Sequence, residues 1–359
     1  MDPLLVFTQL ILGTLGVLGV ATSAPELWPA HLLRVLAGLA LTALVSRISP
    51  QRVVRLSPYA YVSVLILLAA VLIVGISPEG SDAKRWLDLG FFTLQPSELM
   101  KVTVIAYLTA FFYNHLGDWQ IWRPMVVMGL AAGLIVAEPD VSTAGFIFLL
   151  AFAIMLAAGT TIARLVSIST AAALIAVLVA GPYLSQFSYI GERFEGFSDL
   201  WGTQEQAQTE SYQAVQAQRT LVRAGLFGVG PGEIIRVPEA DTDMIAISVA
   251  HALGLLGVAT LFALYLFIAW RGLGIASSLT GPGSLLAAGA TAYICGQAAL
   301  NLLVASGLVP VTGIPLPFVS YGQNSLFSVA IAMGFIHSAY RISQNPELEA
   351  QESAKEKPA

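Results

Sequence analysis

Charge is scarce in this chain. Of 359 residues, 17 are Lys or Arg and 22 are Asp or Glu, 11% in all, where a soluble domain carries about 25%. So few charges cannot cover the surface of a water-soluble protein of this length. Two soluble domains, which length alone would suggest, are excluded. Cysteine is nearly absent too. Cys295 stands alone, which rules out an intramolecular disulfide, zinc clusters, iron–sulfur sites and CxxC redox motifs. It lies in an apolar stretch and reads as a small packing residue. The first apolar run has neither a basic leader nor a clear small-residue cleavage site, and reads as a first membrane span. No 20–50-residue repeat is present.

What is abundant is apolar sequence: 56% of residues, with a mean hydropathy of +0.76. A spanning helix needs about 20 mainly apolar residues. Ten stretches qualify, at 4–22, 30–47, 58–76, 96–114, 122–138, 142–160, 163–187, 243–270, 284–308 and 322–341. They are continuously apolar and lack the alternation of barrel strands. The chain is therefore predicted to be an all-α polytopic membrane protein. Residues 1–341 form one transmembrane domain, with a large loop at 188–242 between the seventh and eighth spans. The tail 342–359 is short, rich in Glu and Lys, and expected to be disordered. Arg47, Arg52, Arg55, Arg123, Arg164, Arg271 and Arg341 fall on one side of this arrangement. The bias of Lys and Arg toward the cytoplasm then puts both termini inside the cell and segments 77–95 and 188–242 outside.

The charges are clustered. Segment 188–243 holds 13, segment 77–101 holds seven and the tail 341–359 holds seven, which leaves 12 for the other 259 residues. An ionisable residue inside a span is costly and is a functional candidate by default. Lys101 is one turn into the fourth span, with Glu98 on the same face. The two suit a structural ion pair, or a basic group held near an anionic substrate. Gln95, Pro96 and Ser97 open that helix, where Ser97 and Glu98 also suit capping. Asp140 stands between the fifth and sixth spans, as an N-cap or as a site residue. The run Pro238-Glu239-Ala240-Asp241-Thr242-Asp243 leads into the eighth span. A carboxylate at an apolar rim can have its pKa raised, which suits a general base. The glycine-rich run Gly225–Gly232 lacks the Lys-Ser/Thr of a P-loop and reads as an irregular loop packed on the membrane surface. Gly313–Phe318 interrupts helix before the last span, and such backbone must be buried or line a cavity. His251 and His337 show no metal-ligand spacing, and no Ser–His–Asp arrangement can be built. These residues suit an amphiphilic, anionic substrate, to be either processed or transported.

The motifs resemble one family closely: the SEDS proteins (shape, elongation, division and sporulation) of RodA/FtsW/SpoVE type. Lys84-Arg85-Trp86-Leu87, followed by Gln95-Pro96-Ser97-Glu98 and Lys101, is similar to one signature. Glu138-Pro139-Asp140 is similar to the next. Tyr212-Gln213, Gly225–Gly230 and Pro238–Asp243 resemble the large outer loop. Leu308–Pro310, Gly313–Phe318 and Ser320-Tyr321-Gly322 resemble the last signature. This implies a peptidoglycan glycosyltransferase of the bacterial cytoplasmic membrane. It would polymerise lipid II extracytoplasmically beside a class B penicillin-binding protein and other divisome or elongasome membrane proteins. No nucleic acid is expected as a partner. The resemblance makes Asp243 the essential residue, here a general base. Arg85, Trp86, Lys101, Asp140, Ser320, Asn324 and Ser325 would contact substrate. Gln95, Ser97, Glu98, Glu239, Asp241 and Thr242 would support them. No cofactor is required, although a divalent cation (Mg or Mn) could assist. Glu138-Pro139-Asp140, Gly225–Gly230, Glu192-Arg193-Phe194 and Phe197–Trp201 are more like the division type than the elongation type.

The chain also departs from the family. His251-Ala252-Leu253-Gly254 stands where Glu-Glu-Leu-Gly is usual, Gln323-Asn324-Ser325 where Gly-Gly-Ser is usual, and Asp241 where His is usual. A lipid-linked precursor flippase and a non-catalytic divisome scaffold are the competing readings. A transporter should hold its ionisable residues near the midplane, whereas Lys101, Asp140 and Asp243 gather toward one face.

Overall fold

The computed structural model describes residues 1–77, 83–90, 92–114, 121–170, 210–235 and 237–345. The expected tail beyond 345, most of the seventh span and loop segment 188–209, with its Glu192–Trp201 motif, lie outside the described residues. The elements are α1 (Pro3–Ser23), α2 (Trp28–Val45), α3 (Pro50–Val74), β1 (Leu87–Asp88), β2 (Thr93–Leu94), α4 (Pro96–Asn114), α5 (Trp122–Ala137), α6 (Val141–Ala157), α7 (Glu210–Ala224), α8 (Ile245–Ser277), α9 (Pro282–Ala305) and α10 (Gln323–Ser343). A further helical stretch covers 162–170. The chain is thus an all-α multi-pass membrane protein, and its helices follow the expected spans in order.

Local chemistry sets the helix starts. Asp2 caps α1, its Oδ1 accepting from the Leu4 and Leu5 amides at 2.9 and 3.2 Å. Pro3 follows at a position where a missing N–H costs nothing. The third helix begins at Pro50, eight residues before the apolar run expected at 58. Ser49 caps it through the Arg52 amide, and Pro58 is carried inside it, so Arg52 and Arg55 lie in its first turns. The short acidic turn between α5 and α6 does separate two helices. The Asp140 side chain accepts from the Thr143 amide at 3.1 Å and starts α6.

Packing separates a protein-facing core from lipid-facing helices. In the most apolar stretch of α10, 78% of residues are buried inside the protein, against 22% for α2. Small residues allow the close crossings usual in membranes: Gly19 of α1 faces Ile245 and Val249, Gly38 of α2 faces Leu326, and Gly334 of α10 faces Val45. Polar side chains then tie helices together. Gln9 donates to Thr42 Oγ1 at 3.1 Å, Thr42 to the Ala330 carbonyl at 3.0 Å, and Tyr265 to the Pro317 carbonyl at 2.6 Å.

The eighth helix differs most from its expected form. Its 33 residues would run about 50 Å if straight, well beyond a hydrocarbon core of about 30 Å. It breaks at Gly254, where φ is 71° and ψ −162°. Residues 255–277 alone are long enough to span. Residues 245–253 form a separate short helix, buried from Ile245 through Ala250. The glycine-rich run fills the break. Leu255 and Leu256 amides donate to the Gly225 and Leu226 carbonyls, and Val229 and Gly230 amides to the His251 and Ala252 carbonyls. A side chain on Gly254 would strike the Leu226 carbonyl, and one on Gly228 the Ala252 carbonyl. Two glycines 26 positions apart therefore make one joint, and the irregular run expected at the membrane surface is paired into α8.

Candidate active site

A cavity of about 690 Å3 opens where the segment before α4, the α5–α6 turn, the approach to α8 and the approach to α10 meet, with α2 on one wall. Its outer rim is a small hairpin. The Ile76 amide donates to the Trp86 carbonyl at 2.8 Å, and β1 pairs antiparallel with β2. This holds Arg85, Trp86, Thr93 and Gln95 on the lining. Asn324 Nδ2 donates to the Thr93 carbonyl at 3.0 Å and fastens the hairpin to the start of α10.

Arg85 is held by backbone. Its Nε donates to the Glu138 carbonyl at 3.1 Å, and a terminal nitrogen donates to the Pro139 carbonyl. This sets the guanidinium against the turn that carries Asp140, and both side chains line the cavity. The neighbouring Glu138 carboxyl is 1% exposed, and neither of its oxygens has a hydrogen-bond partner among the described residues. Burial, then the Asp140 charge, push its pKa up to about 8 against the pull of Arg85. At neutral pH it is largely protonated, so the positive charge of Arg85 is not cancelled from behind.

Asp243 lines the cavity beside Glu239 and Thr242. Its approach is fixed from three sides. Asn301 on α9 donates Nδ2 to the Asp243 carbonyl at 2.7 Å and to the Ile314 carbonyl at 2.8 Å. Ser320 donates to the Thr242 carbonyl at 2.6 Å. The Tyr321 amide donates to the Asp241 carbonyl at 2.9 Å. Thr242 Oγ1 closes the turn onto Glu239 Oε2 at 2.6 Å. Gly313, with φ 72°, lies against the carboxylate: a Cβ there would come 3.4 Å from Asp243 Oδ2. Glu239 and Phe318, in the two segments so joined, have φ of 55° and 65°, a costly conformation for residues with a side chain and one found most often at functional sites. Burial raises the pKa of Asp241, with its own backbone hydrogen bond opposing and Glu239 and Glu26 adding to the rise.

Beneath the floor lies a buried polar chain. Lys101 is 1% exposed, and its Nζ donates to Glu98 Oε1 at 2.7 Å and to Gln297 Oε1 at 3.1 Å. Gln297 donates in turn to the Pro315 carbonyl at 2.8 Å and to Ser325 Oγ at 3.0 Å. Glu98 lines the cavity and Lys101 does not. The lysine thus orients Glu98 and the α10 start from behind. Among the described residues the second carboxylate oxygen of Glu98 is buried without a hydrogen bond of ordinary geometry.

Of the residues singled out in the sequence, Arg85, Trp86, Gln95, Glu98, Asp140, Glu239, Thr242, Asp243, Asn324 and Ser325 come together on the lining. Ser97 is fully buried, Ser320 and Asp241 brace the Asp243 approach, and Lys101 stands behind Glu98. Gly313 and Tyr321 also line the cavity, in segments already singled out, while sequence reasoning missed Arg34 and Thr312 on the lining, with Gln297 and Asn301 behind. The last two are amides four apart in an apolar helix, a signal that was available. Among the described residues no three His, Cys, Asp or Glu side chains are grouped to hold a metal ion. The described residues thus supply no all-protein cage for a divalent cation.

Four helices begin at this cavity. Lining residues sit at the start of α4 (Gln95, Glu98), α6 (Asp140–Thr143), α8 (Asp243) and α10 (Gly322–Ser325). Each start carries about half a positive charge from its unpaired amides, so the four together favour an anion.

A family model described as "Cell cycle protein", for FtsW, RodA and SpoVE, matches residues 8–345. A probable peptidoglycan glycosyltransferase FtsW from Alkalilimnicola ehrlichii is 32% identical, over 98% of this chain and 91% of its own. A solved structure described as "structural coordination of polymerization and crosslinking by a peptidoglycan synthase complex" matches with a TM-score of 0.78 and 26% identity, over 96% of this chain and 98% of the other. The rod shape determining protein RodA of Thermus thermophilus shares the fold, with a TM-score of 0.70 and 24% identity over 95% of this chain and 97% of its own. With ten motif residues on one cavity and the family match covering nearly its whole length, this chain belongs to the FtsW/RodA/SpoVE family.

Proposed function

We propose that this protein is a peptidoglycan glycosyltransferase that polymerises lipid II at the outer face of the cytoplasmic membrane, in a division-type role beside a class B penicillin-binding protein. One observation carries the reading: Asp243, Asp140 and Arg85 converge on one polar cavity at the starts of four helices. Glycan extension needs an acceptor sugar hydroxyl to attack an anomeric carbon that bears a lipid diphosphate. Asp243 accepts the hydroxyl proton as the new C–O bond forms. The bond to the diphosphate breaks, and the departing oxygens gain charge. Arg85 and the helix starts offset that charge. Asp140 and Glu98 accept hydrogen bonds from the sugars. No protein nucleophile takes part. The positive-inside bias supports cytoplasmic termini and an extracytoplasmic cavity.

The test is polymerisation of lipid II by the purified protein, with and without its penicillin-binding partner, read as glycan strands on a gel. Wild type makes strands, and Asp243→Ala loses at least about a hundredfold in rate. Equal rates for the two would sink the assignment of the base. Translocation of lipid II without strands would favour a flippase.

A further inference from the structure

Arg34 is a cation inside a span with no task in the reading above. It sits in the second turn of α2 and lines the cavity. Its guanidinium carbon lies 4.0 Å from the centroid of the Tyr321 ring, and its Nη1 donates to the Tyr321 carbonyl at 3.0 Å. Both contacts orient the group, and neither neutralises it. Among the described residues no carboxylate forms an ion pair with it. A charge at this depth is costly, and it persists where it faces a polar cavity or a ligand.

The other cations narrow the role. Lys101 is closed off beneath the floor and matched by Glu98 at 2.7 Å. Arg85 is held on a different wall, by the carbonyls of Glu138 and Pro139. Arg34 is held by the segment that leads into α10. Its planar fork offers five donors, of which one is given to Tyr321. Stacking fixes the plane of the fork, and a fixed fork suits a phosphate. Glycan extension brings together two lipid-linked diphosphates, one on the acceptor and one that leaves. Two arginines on separate walls match that need.

We propose that Arg34 binds a phosphate of one lipid-linked substrate, on a wall of the cavity separate from Arg85. This rests on the lipid II reading. The experiment uses the full chain with its penicillin-binding partner, and undecaprenyl diphosphate as a competing probe. Arg34→Met should raise both the KM for lipid II and the inhibition constant of undecaprenyl diphosphate about tenfold, with a smaller change in kcat. Arg34→Lys keeps the charge without the fork and should recover part of the loss. Undecaprenol, which lacks phosphate, should act alike on all three proteins. An unchanged inhibition constant in Arg34→Met, with wild type polymerising, overturns the proposal and leaves the lipid II reading standing. If wild type makes no strands, the lipid II reading fails. Direct binding of undecaprenyl diphosphate then decides Arg34 alone: equal binding by wild type and Arg34→Met overturns the role, and tenfold weaker binding supports it. Should Arg34→Met fail to fold, Arg34→Gln is read by the same criteria.

Discussion

The two ends of the helix bundle treat charge in opposite ways. At the end where α1 begins, Asp2 is fully buried. It accepts from Arg271 Nε at 2.7 Å, while its backbone amide donates to His337 Nδ1 at 3.1 Å. Arg341 donates to the Arg47 carbonyl at 3.0 Å, and Ser338 to the Ile48 carbonyl at 2.5 Å. The Asp2 charge there is matched by Arg271, and these contacts lock helix ends together. At the cavity end, carbonyl groups hold Arg85 and Arg34. A carbonyl fixes a guanidinium without cancelling its charge. The first end is built for cohesion. The second keeps oriented, uncancelled charge for something that arrives.

Lys101 tests this contrast most severely, because it lies at the cavity end yet is matched like a residue of the other. Lys101→Met leaves the Glu98 carboxylate buried and uncompensated. Stability should fall by about 3–5 kcal/mol, seen as a lower midpoint in a detergent melt. Adding Glu98→Gln should restore most of it. An unaltered midpoint in the single variant would mean that Lys101 faces substrate after all.

The joint in α8 should show the next largest effect. Gly254→Ala forces a side chain into a backbone conformation that only glycine adopts readily and against the Leu226 carbonyl. The cost is about 1–3 kcal/mol, with polymerisation impaired because the short helix that ends at this joint begins just after Asp243. If rate and midpoint both stay at wild-type values, the joint does not position the base.

At the opposite end, Asp2→Asn should cost about 1–2 kcal/mol, since Arg271 remains one-third exposed and hydrated. Its kcat should match wild type. A large drop in kcat would erase the distinction between the two ends.

The smallest effect is one of pH. The folded Glu138 holds its proton up to about 8, against 4.5 for the free group. Because the folded state binds the extra proton, stability is highest below about 4.5 and declines as pH rises toward about 8. Glu138→Gln should flatten that part of a melting-versus-pH profile. A slope identical to wild type would show that this carboxyl titrates normally.

Much of this was legible in the sequence, for definite reasons. Spans follow from continuous apolar runs, and Asp140 is an ordinary cap whose side chain also faces the cavity. Arg85, Trp86 and Asp243 sit in segments whose local motif is strong. The break in α8 was not legible. Gly254 looks like any membrane glycine until Gly225–Gly230 is set beside it, and that pairing joins distant segments. Arg34 stood out from no local motif, because Tyr321 is its partner from 287 positions away. The spacing of Lys101 and Glu98 made an ion pair one legible reading, but Gln297, which closes the lysine in, comes from another helix.

The four helix starts around the cavity have a chemical consequence of their own. Side-chain charges can be lost by one substitution and altered by one proton. The amides at a helix start have no pKa in the working range, and replacing a side chain leaves them in place. The draw on an anion here is thus partly written into the course of the main chain. Gln323-Asn324-Ser325 can thus stand at one of those starts, where Gly-Gly-Ser is usual, without removing its draw on an anion.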